Sequence, residues 1–559
     1  MSELRLVPTA LLLWALTLLA LFTRGIWPSL GLVLLAVLIA LILRHPGQAL
    51  LLGSTGTVAS GFVHTRLSAV AAAELGDTLK GRLVGSPAEV NPGTWILRIR
   101  VDDYPTPVPT LLKTTALPEE AVAGALVHLP VRLQDSERPG LGEVLALATE
   151  IEMAHPASGM SAFAAHVREC FSTAVMESVG PSSQGLLPGM VLGDTSLQTE
   201  VENQLYLDTG LSHLSAVSGS NVMIVTTTVI LLCRWLTLGP RIQTCAAGGA
   251  LLLFVCLVGT EPSVLRAAVT GVVGLLAVLN SARMEPIHAL SLSVGALLLY
   301  DSDLAVSYGF ALSVAATAGI VALSPLLARV LAPTRWPEIL VRALAVAIAA
   351  DVVTMPLIAM MSGRVSLVAV LANVLVSPAV APVTLFGLLA AGLSLLPGGL
   401  EWWPLKVVEP CTWWIHHTAA WCAQLPSATI DTPDGWVGPV WVLLFCCWLI
   451  AAFLHHHPRK VLGGLLSCYL CAGVAGIQPS FFRSPEIPLA QLQQHVVDSE
   501  AGIAPVPVGT QVVIVQDGGG EPSLLPLYTG EGIPVLFPNR DGPVSLHQDG
   551  KQHAADGRF

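Results

Sequence analysis

The stretch Leu186–Val225 places small, hydrogen-bonding and charged residues beside apolar runs, and it reads LLPGMVLGDTSLQTEVENQLYLDTGLSHLSAVSGSNVMIV. An acidic segment separates its first apolar turn from a hydrophobic run that contains His213, Ser218 and Asn221. In lipid a polar group without a partner costs several kcal/mol, so these side chains must face other helices or a water-filled cavity. The stretch therefore predicts a polar cluster at membrane depth, with the other segments as the walls around it.

Two charged residues, Arg266 and Asp351, lie within other apolar runs. A charge at the centre of a bilayer costs about 2.5–3.5 kcal/mol, so it is usually partnered and often functional. Arg266 could form an ion pair with Asp351 or Glu261. Asp351 could belong to that pair, line a pathway or relay protons, whereas Asn221 is typical of an interhelical hydrogen bond worth about 1 kcal/mol. The charged residues predicted at the ends of spans are Asp301, Asp303 and Arg364.

Enzymatic motifs are missing from the sequence, which contains no GxxxxGK[ST], HExxH or GxSxG. Cys468 and Cys471 form a CxxC without a second pair, and the ten cysteines are predicted to be small buried residues. The adjacent His416 and His417 point roughly 100° apart in a helix, which does not favour a shared metal. The sequence therefore predicts a protein that is not an enzyme, with no catalytic residues, no metal and no cofactor.

The composition is that of an integral membrane protein with a soluble appendage. Of 559 residues, 53% are hydrophobic and 12% are charged, against about 25% charged in a soluble domain. The mean hydropathy is +0.69. A formal net charge of -11 argues against a basic surface that coats nucleic acid, although a pore needs only local charge.

These properties predict an α-helical polytopic membrane protein with a small N-terminal all-β, OB-like soluble domain. The predicted division is 1–75 for N-terminal transmembrane helices, 76–157 for the β domain, 158–209 for an amphipathic linker, 210–477 for a transmembrane channel domain and 478–559 for a polar, partly disordered tail. The candidate spans are Val7–Phe22, Trp27–Leu43, Ala49–Val63, Leu211–Leu236, Ala246–Gly259, Val264–Asn280, Ile287–Tyr300, Val306–Leu331, Leu344–Met361, Leu367–Leu395, Val437–Leu454 and Val461–Ile477. Prolines within or beside them predict broken helices that expose backbone to a pathway, namely Pro262, Pro325, Pro356, Pro378 and Pro382.

Four strand-like segments predict the β domain: Gly81–Val84, Trp95–Val101, Val127–Leu133 and Val144–Ile151. Its acidic residues offset its basic ones, and Trp95 and Tyr104 are its chief aromatics for base stacking. The sequence therefore favours a structural or assembly role for this domain over the binding of single strands, and leaves both open.

Three further segments have their own signatures. Glu401–Pro426 is rich in tryptophan and histidine, which predicts a helix at the headgroup level. Ser161–Val179 carries charges on one helical face, which predicts an interfacial helix, and Gln511–Gln516 is predicted as one strand in the tail.

Several motifs resemble those of the ComEC/Rec2 competence family. They are GDTS with TGLSHLSAVSGSNV, GTEPSVLRAAV at Gly259–Val269, DSDLAVSYGFALSVAATAGI at Asp301–Ile320, and the block from Ala347 to Val383. Their order and spacing agree with the family over roughly Leu186–Pro426. The residues that the resemblance places in family motifs are Gly193, Asp194, Gly210, His213, Ser218, Gly219, Arg266, Gly309, Phe310, Asn373 and Pro378, to which the polar residues Asn221 and Asp351 are added as candidate channel residues.

The resemblance implies a multi-pass inner (plasma) membrane channel that passes single-stranded transforming DNA into the cytoplasm. Its implied partners are single-stranded DNA, membrane lipids, a DNA receptor protein, a cytoplasmic helicase or ATPase and a separate nuclease. Because each phosphate is charged, such a strand needs a hydrated, hydrogen-bonding path. Two alternatives from other classes are a secondary transporter of a small anion, with Arg266 and Asp351 as binding and coupling groups, and an assembly scaffold.

Two departures from the family pattern limit what the resemblance implies. Many members have Ser-Gly-Leu-His where this chain has Ser218-Gly219-Ser220-Asn221, so a role of that histidine does not transfer to Asn221. Many members also carry a metallo-β-lactamase-like domain with D-V-G-Q-G-D and H-x-H-x-D-H motifs, and neither motif follows Gly476. The expectation is a form of the channel without its own nuclease.

Overall fold

A computed structural model of the chain is mostly helical, with a strand barrel near its amino terminus. It describes residues 4–455 apart from breaks at 92, 103, 115–116, 119, 137, 143, 280–284, 333–335 and 434. Beyond residue 455 it describes 463, 489, 492–499, 503, 506–507, 509–519, 523, 526–529, 532–546 and 552–554. The predicted span Val461–Ile477 and the pair Cys468 and Cys471 thus lie outside the described residues.

Apart from the β domain, which lies between α3 and α4, the helices up to residue 455 follow one another with short connections. They are α1 (Val7–Thr23), α2 (Ile26–Ile42), α3 (Pro46–Ala72), α4 (Met160–Ser178), α5 (Pro181–Gln184), α6 (Leu186–Leu192), α7 (Glu200–Asp208), α8 (Gly219–Trp235), α9 (Pro240–Val258), α10 (Pro262–Leu279), α11 (Pro286–Tyr300), α12 (Tyr308–Leu331), α13 (Glu338–Ser362), α14 (Ala369–Leu393), α15 (Trp402–Ala423) and α16 (Val437–His455).

Four of these helices, α9, α12, α13 and α14, are long and apolar enough to cross a membrane. The shorter apolar helices α1, α2, α8, α10, α11 and α16 accompany them. Large apolar side chains stay exposed along α2, namely Leu34, Leu35, Leu38, Ile39, Leu41 and Ile42. An exposed apolar face of this kind is what a helix that borders lipid requires, because contiguous apolar patches are rare on soluble proteins.

The apolar runs predicted as spans up to residue 455 fall on these helices, but several boundaries are wrong. Helix α3 ends at Ala72 rather than Val63, and α9 and α13 begin at Pro240 and Glu338, before the predicted starts. The run predicted from Leu211 becomes helical only at Gly219, the first residue of α8. A short 3₁₀ turn at Ser212–Leu214 and an extended Ser218 come before it. Small hydroxyl residues compete with the helix for backbone hydrogen bonds, which explains why the polar cluster starts the helix rather than lying inside it.

The expectation that prolines break the spanning helices is wrong for α12, α13 and α14, which continue through theirs. In α14, Pro378 cannot donate to the carbonyl of Val374, four residues earlier. The Ser377 hydroxyl donates to that carbonyl instead, at 3.0 Å. The helix therefore stays continuous because a neighbouring side chain satisfies the freed backbone group.

The β domain is a closed barrel of short strands. Its strands are β1 (Thr78–Leu83), β2 (Ala88–Asn91), β3 (Thr94–Val101), β4 (Val108–Lys113), β5 (Leu126–Asp135), β6 (Val144–Ala148) and β7 (Glu152–His155). The order β1-β3-β4-β6-β5 closes because β1 also pairs with β5, and β4 and β6 run parallel. Tyr104 is buried in the barrel core, and Trp95 packs against that core with its indole nitrogen enclosed. The two aromatics considered for base stacking thus serve packing.

Other predicted segments also have defined structure. Helix α15 lies where a headgroup-level helix was expected, and it buries one apolar face against α14. Helix α4 packs into the same core through Val167 and Phe171. Two short strands, β8 (Arg364–Ser366) and β9 (Thr429–Asp431), pair beside α13, and Arg364 Nε lies 3.1 Å from Asp431 Oδ1.

The tail contains more strands than the single one predicted at Gln511–Gln516. Its elements are β10 (Gln494–Val497), β11 (Val512–Val515), β12 (Leu527–Tyr528), β13 (Pro534–Leu536), α17 (Pro538–Asp541), β14 (Val544–Leu546) and β15 (Gln552–Ala554). β10, β11 and β13 pair in parallel, and β12 joins β13 antiparallel. An alternating pattern is short in each of these strands, which explains why the sequence did not reveal them.

The barrel is fixed to the helices by Asp303, which follows α11. Its carboxylate accepts hydrogen bonds from the Thr106 hydroxyl at 2.7 Å and from the Leu141 N–H at 2.6 Å. From the turn after α1, Arg24 donates to the carbonyls of Leu141 at 2.9 Å and Gly140 at 2.7 Å. The Leu141 side chain is 2% exposed and belongs to the apolar cluster of the first helices. Asp303, which the sequence placed at the end of a span, thus holds the barrel against the helices.

A neighbouring carboxylate, Asp301, yields a prediction about pH. Burial, and then the charge of Asp303, raise the pKa of Asp301 above its ordinary value of 3.8. Because the folded state then binds more protons than the unfolded state, stability falls as the pH rises through the raised pKa. Asp301→Asn keeps an oxygen that can accept from the Asp303 N–H and removes the disfavoured charge. We expect a higher melting temperature than wild type at pH 7, with the difference vanishing at acidic pH. A difference that grows on acidification would contradict this cause.

Candidate functional site

The centre of the helical region is α6, whose seven residues are all buried. Pro188 lies in its first turn, where a missing N–H costs nothing. Gly193 ends the helix with a φ of 73°, and its N–H donates to the Gly189 carbonyl at 3.0 Å. The interval 158–209, predicted to be a linker, therefore contains the middle of the core.

The Asp194 side chain connects two helices. Its Oδ2 accepts from the Ser172 hydroxyl of α4 at 3.0 Å, and its Oδ1 accepts from the Ser196 N–H at 3.0 Å. Gly193 before it has the positive φ that favours glycine. The Gly193-Asp194 motif therefore ends α6 and connects it to α4.

Arg168, on α4, connects these helices to α9. It donates to the carbonyls of Leu257 at 2.7 Å and Val258 at 3.3 Å, at the end of α9. Burial lowers the pKa of Arg168, and the charge of Asp194 opposes that shift. Arg168 gave no sequence signal of this role, because its pattern was only that of a charge on the polar face of an interfacial helix.

Gly210 and His213 lie in the turn before α8. The φ of Gly210 is 69°, and a Cβ there would lie 2.5 Å from the Ala369 Cβ, so glycine lets this turn pass the start of α14. His213 is exposed, and its Nδ1 lies 3.2 Å from the Gly210 carbonyl oxygen. The exposed side chain of His213 lies in a densely surrounded part of the fold, and its assignment as a channel residue stays a prediction.

Asn221 joins three helices within the buried core. It is 3% exposed. Its amide donates to the Met190 carbonyl of α6 at 2.9 Å, and its Oδ1 accepts from the Thr384 hydroxyl of α14 at 3.3 Å. Both ends of the amide are satisfied by protein, so Asn221 has the interhelical role that its position predicted. Its further assignment as a channel residue stays a prediction.

Arg266, on α10, is 6% exposed and reaches the start of α8. Its Nε donates to the Ser313 hydroxyl of α12 at 2.9 Å. Its Nη2 lies 2.7 Å from where a Cβ of Gly219 would be, so only glycine leaves room for the guanidinium. Among the described residues Arg266 has no carboxylate partner, and the predicted ion pair with Asp351 or Glu261 is therefore wrong.

Gly309 and Phe310 begin α12, the helix that carries Ser313. Phe310 is fully buried, and its ring lies 5.1 Å from that of Trp14 on α1. The Ser307 hydroxyl accepts from the Phe310 N–H at 3.4 Å and caps the helix. These motif residues fix where α12 starts, and so they set the height of Ser313 in the bundle.

Three elements that are far apart in the sequence thus meet around Arg266, and comparison with known proteins identifies the region. Residues 190–459 match the protein-family model described as Competence protein. This region, the competence domain, is similar to that family. The resemblance read from the motifs is confirmed for it.

The chain also resembles a curated protein. It is 25% identical over 396 residues to ComE operon protein 3 of Bacillus subtilis (strain 168), an alignment that covers 66% of this chain and 48% of the relative. The chain thus spans about half the length of that relative. No solved structure matches the chain.

Asp351, Asn373 and Pro378 lie elsewhere in the competence domain. Asp351 and Asn373 are half-buried, on α13 and α14, and neither side chain makes a hydrogen bond or ion pair with a described residue. Pro378 is exposed on α14. The structure therefore does not bring these three residues to Arg266.

The sequence analysis missed Ser313 and Thr384, the partners of Arg266 and Asn221 in the competence domain. Ser313 falls within a motif quoted for the resemblance, so its motif position was the available signal. Thr384 gave no sequence signal of its role, because hydroxyl residues are common in apolar helices. Within the described part of the chain, no three metal-ligating side chains gather. His416 instead lies 3.2 Å from the Tyr206 hydroxyl.

Proposed function

We propose that the competence domain forms a multi-pass channel in the cell membrane and passes single-stranded DNA into the cytoplasm during natural competence. The family match supports a role in the uptake of DNA. The apolar helices support a location in a membrane. The proposed substrate fits a bundle that holds hydrogen-bonding groups at its interior, since each phosphate needs replacement for its water.

The observation that carries this proposal is the meeting of Gly219, Arg266 and Ser313 from α8, α10 and α12. It places a hydroxyl and a guanidinium that has no carboxylate partner among the described residues inside an apolar bundle. Charged side chains in such places are costly and usually functional. Every residue of 311–318 on α12 is half-buried, so neither side of this stretch is fully packed. A cleft along α12 would give a strand access to Arg266.

The barrel is proposed to be of the OB type and to act as a docked structural part of the channel. Support comes from its closed strand order and from Trp95 and Tyr104, which pack in its core. Delivery of the strand would then need a DNA receptor protein, and its movement a cytoplasmic helicase or ATPase. Degradation of the complementary strand would need a separate nuclease, because the proposed role of this chain is not enzymatic.

A deletion strain of the host, tested for uptake of labelled DNA and for transformation, tests this function. We expect transformation to be lost, to be restored by the wild-type chain, and to stay low with Arg266→Ala. Arg241→Ala is the matched control, because Arg241 is exposed on α9 and its side chain makes no hydrogen bond or ion pair with a described residue. Normal transformation by the deletion strain would overturn the proposal.

A small inorganic or organic anion is the second candidate substrate. The guanidinium of Arg266, which has no carboxylate partner among the described residues, favours such an anion as much as it favours DNA. Asp351, the proposed coupling group, forms no ion pair with Arg266. Loss of labelled anion uptake in the deletion strain, with normal transformation, would favour this transporter.

A further inference from the structure

The start of α8 is an uncapped helix terminus. Its N-cap residue, Ser218, makes no side-chain hydrogen bond to the first turn. The Ser218 hydroxyl instead lies 2.5 Å from the Ser220 hydroxyl. The first amides of a helix lack backbone partners and carry about half a positive charge in sum. In this turn the Asn221 N–H donates to the Ser218 carbonyl at 3.1 Å. The N–H groups of Gly219 and Ser220 and the two hydroxyls remain, and no carboxylate of a described residue is hydrogen-bonded to them.

The second observation is the guanidinium that points at this turn. Arg266 is 6% exposed, and therefore 94% buried, and its Nη2 lies beside Gly219. Only Nε has a partner among the described residues, the Ser313 hydroxyl. The two Nη nitrogens are not fully enclosed by protein, so a ligand can still reach them.

This arrangement is unfavourable as it stands. A cation beside the positive end of a helix is repelled by the dipole, and a buried cation without a counter-charge has lost its water. One bound anion would relieve both costs, because it could accept from Nη, from the first amides of α8 and from the hydroxyls of Ser218 and Ser220.

We propose that the first turn of α8 and Arg266 form a phosphate-binding site that holds one backbone phosphate of the passing strand. The inference rests on the proposed function and gives its channel a specific contact point. A single cationic contact in an otherwise neutral, hydroxyl-lined region would position each phosphate and still release it. A free phosphate anion presents the same oxygens and is the other possible source.

Gly219→Ala should disturb the proposed phosphate site and leave the fold intact. The new Cβ would lie 2.7 Å from Arg266 Nη2 and 3.3 Å from the Ala267 Cβ. Since Nη2 ends a flexible side chain, the guanidinium can move away while the helices stay packed. Gly274→Ala on α10 is the matched control, because its Cβ would meet nothing within 4 Å.

The test measures binding of a fluorescein-labelled oligothymidylate to the purified full-length chain in nanodiscs, with inorganic phosphate as competitor. We expect Gly219→Ala and Arg266→Gln to weaken binding about tenfold or more. We also expect them to flatten the dependence of log K on log salt by about 0.7, the value for one phosphate of a single strand. Gly274→Ala should bind as wild type, and unchanged melting temperatures confirm that the variants fold.

The other outcomes separate the possible failures. Unchanged binding of both oligothymidylate and phosphate in the two site variants overturns the site, and the channel proposal then stands if the deletion strain is still not transformable. Loss of phosphate binding alone, with oligothymidylate bound as in wild type, assigns the site to a free anion and overturns its link to DNA. A deletion strain that transforms normally overturns the proposed function itself, whatever the variants bind.

Discussion

Replacing Gly189 by alanine is expected to destabilise the helical core by roughly 1–3 kcal/mol, the cost of overpacking a close contact. Gly189 lies in the middle of α6, where every residue is buried. A Cβ there would lie 2.6 Å from the Ser215 carbonyl oxygen and 3.4 Å from its carbon. Because those atoms belong to backbone, relief requires a shift of the whole turn before α8.

The same substitution at Gly249 should have the opposite sign. A Cβ at Gly249, on the exposed side of α9, would meet nothing within 4 Å. Alanine favours a helix over glycine by about 1 kcal/mol, so Gly249→Ala should stabilise the protein. Thermal unfolding of the purified variants in detergent measures both effects. Equal melting temperatures for Gly189→Ala and Gly249→Ala would show that α6 is packed more loosely than the structure has it.

The long helices could be predicted from the sequence because their signal is local. An apolar run of bilayer length is evident in α13 and α14 without knowledge of any contact. The start of α8 was missed because hydropathy does not distinguish a helix from an apolar turn that precedes it. Likewise, proline predicted breaks, whereas Ser377 satisfies the carbonyl freed by Pro378 and keeps α14 continuous.

Partners of the polar residues could be predicted less well. Because Asn221 and Arg266 are polar residues within apolar runs, the sequence predicted that both would need partners. Asn221 has its partners on α6 and α14. Nothing in the spacing indicated that Arg266 would reach Ser313 and Gly219 rather than a carboxylate. Such contacts depend on how the helices are arranged, which a single sequence does not encode locally. The same holds for Asp303, whose partners are in the barrel.

Removing the Asp303 carboxylate is expected to release the barrel from the helices. Asp303→Ala loses acceptors for the Thr106 hydroxyl and the Leu141 N–H. Hydrogen bonds to a charged group contribute about 1.5–3 kcal/mol each, and partial exposure places this pair toward the lower end. The Leu141 backbone would then be held chiefly by Arg24. We expect faster proteolysis at the exposed residues 76–77 and 155–156, where the chain enters and leaves the barrel.

Two further variants make this expectation specific. Asp303→Asn keeps one oxygen for the Leu141 N–H, and the Thr106 hydroxyl can turn to accept from the new amide, so its proteolysis should lie between wild type and Asp303→Ala. Glu150→Ala is the control, because Glu150 is exposed in a barrel turn. Equal cleavage of Asp303→Ala and Glu150→Ala would mean that Leu141, seated in the cluster of the first helices, holds the barrel without the carboxylate. In that case Leu141→Ala, with a loss of about 2–5 kcal/mol, should release it.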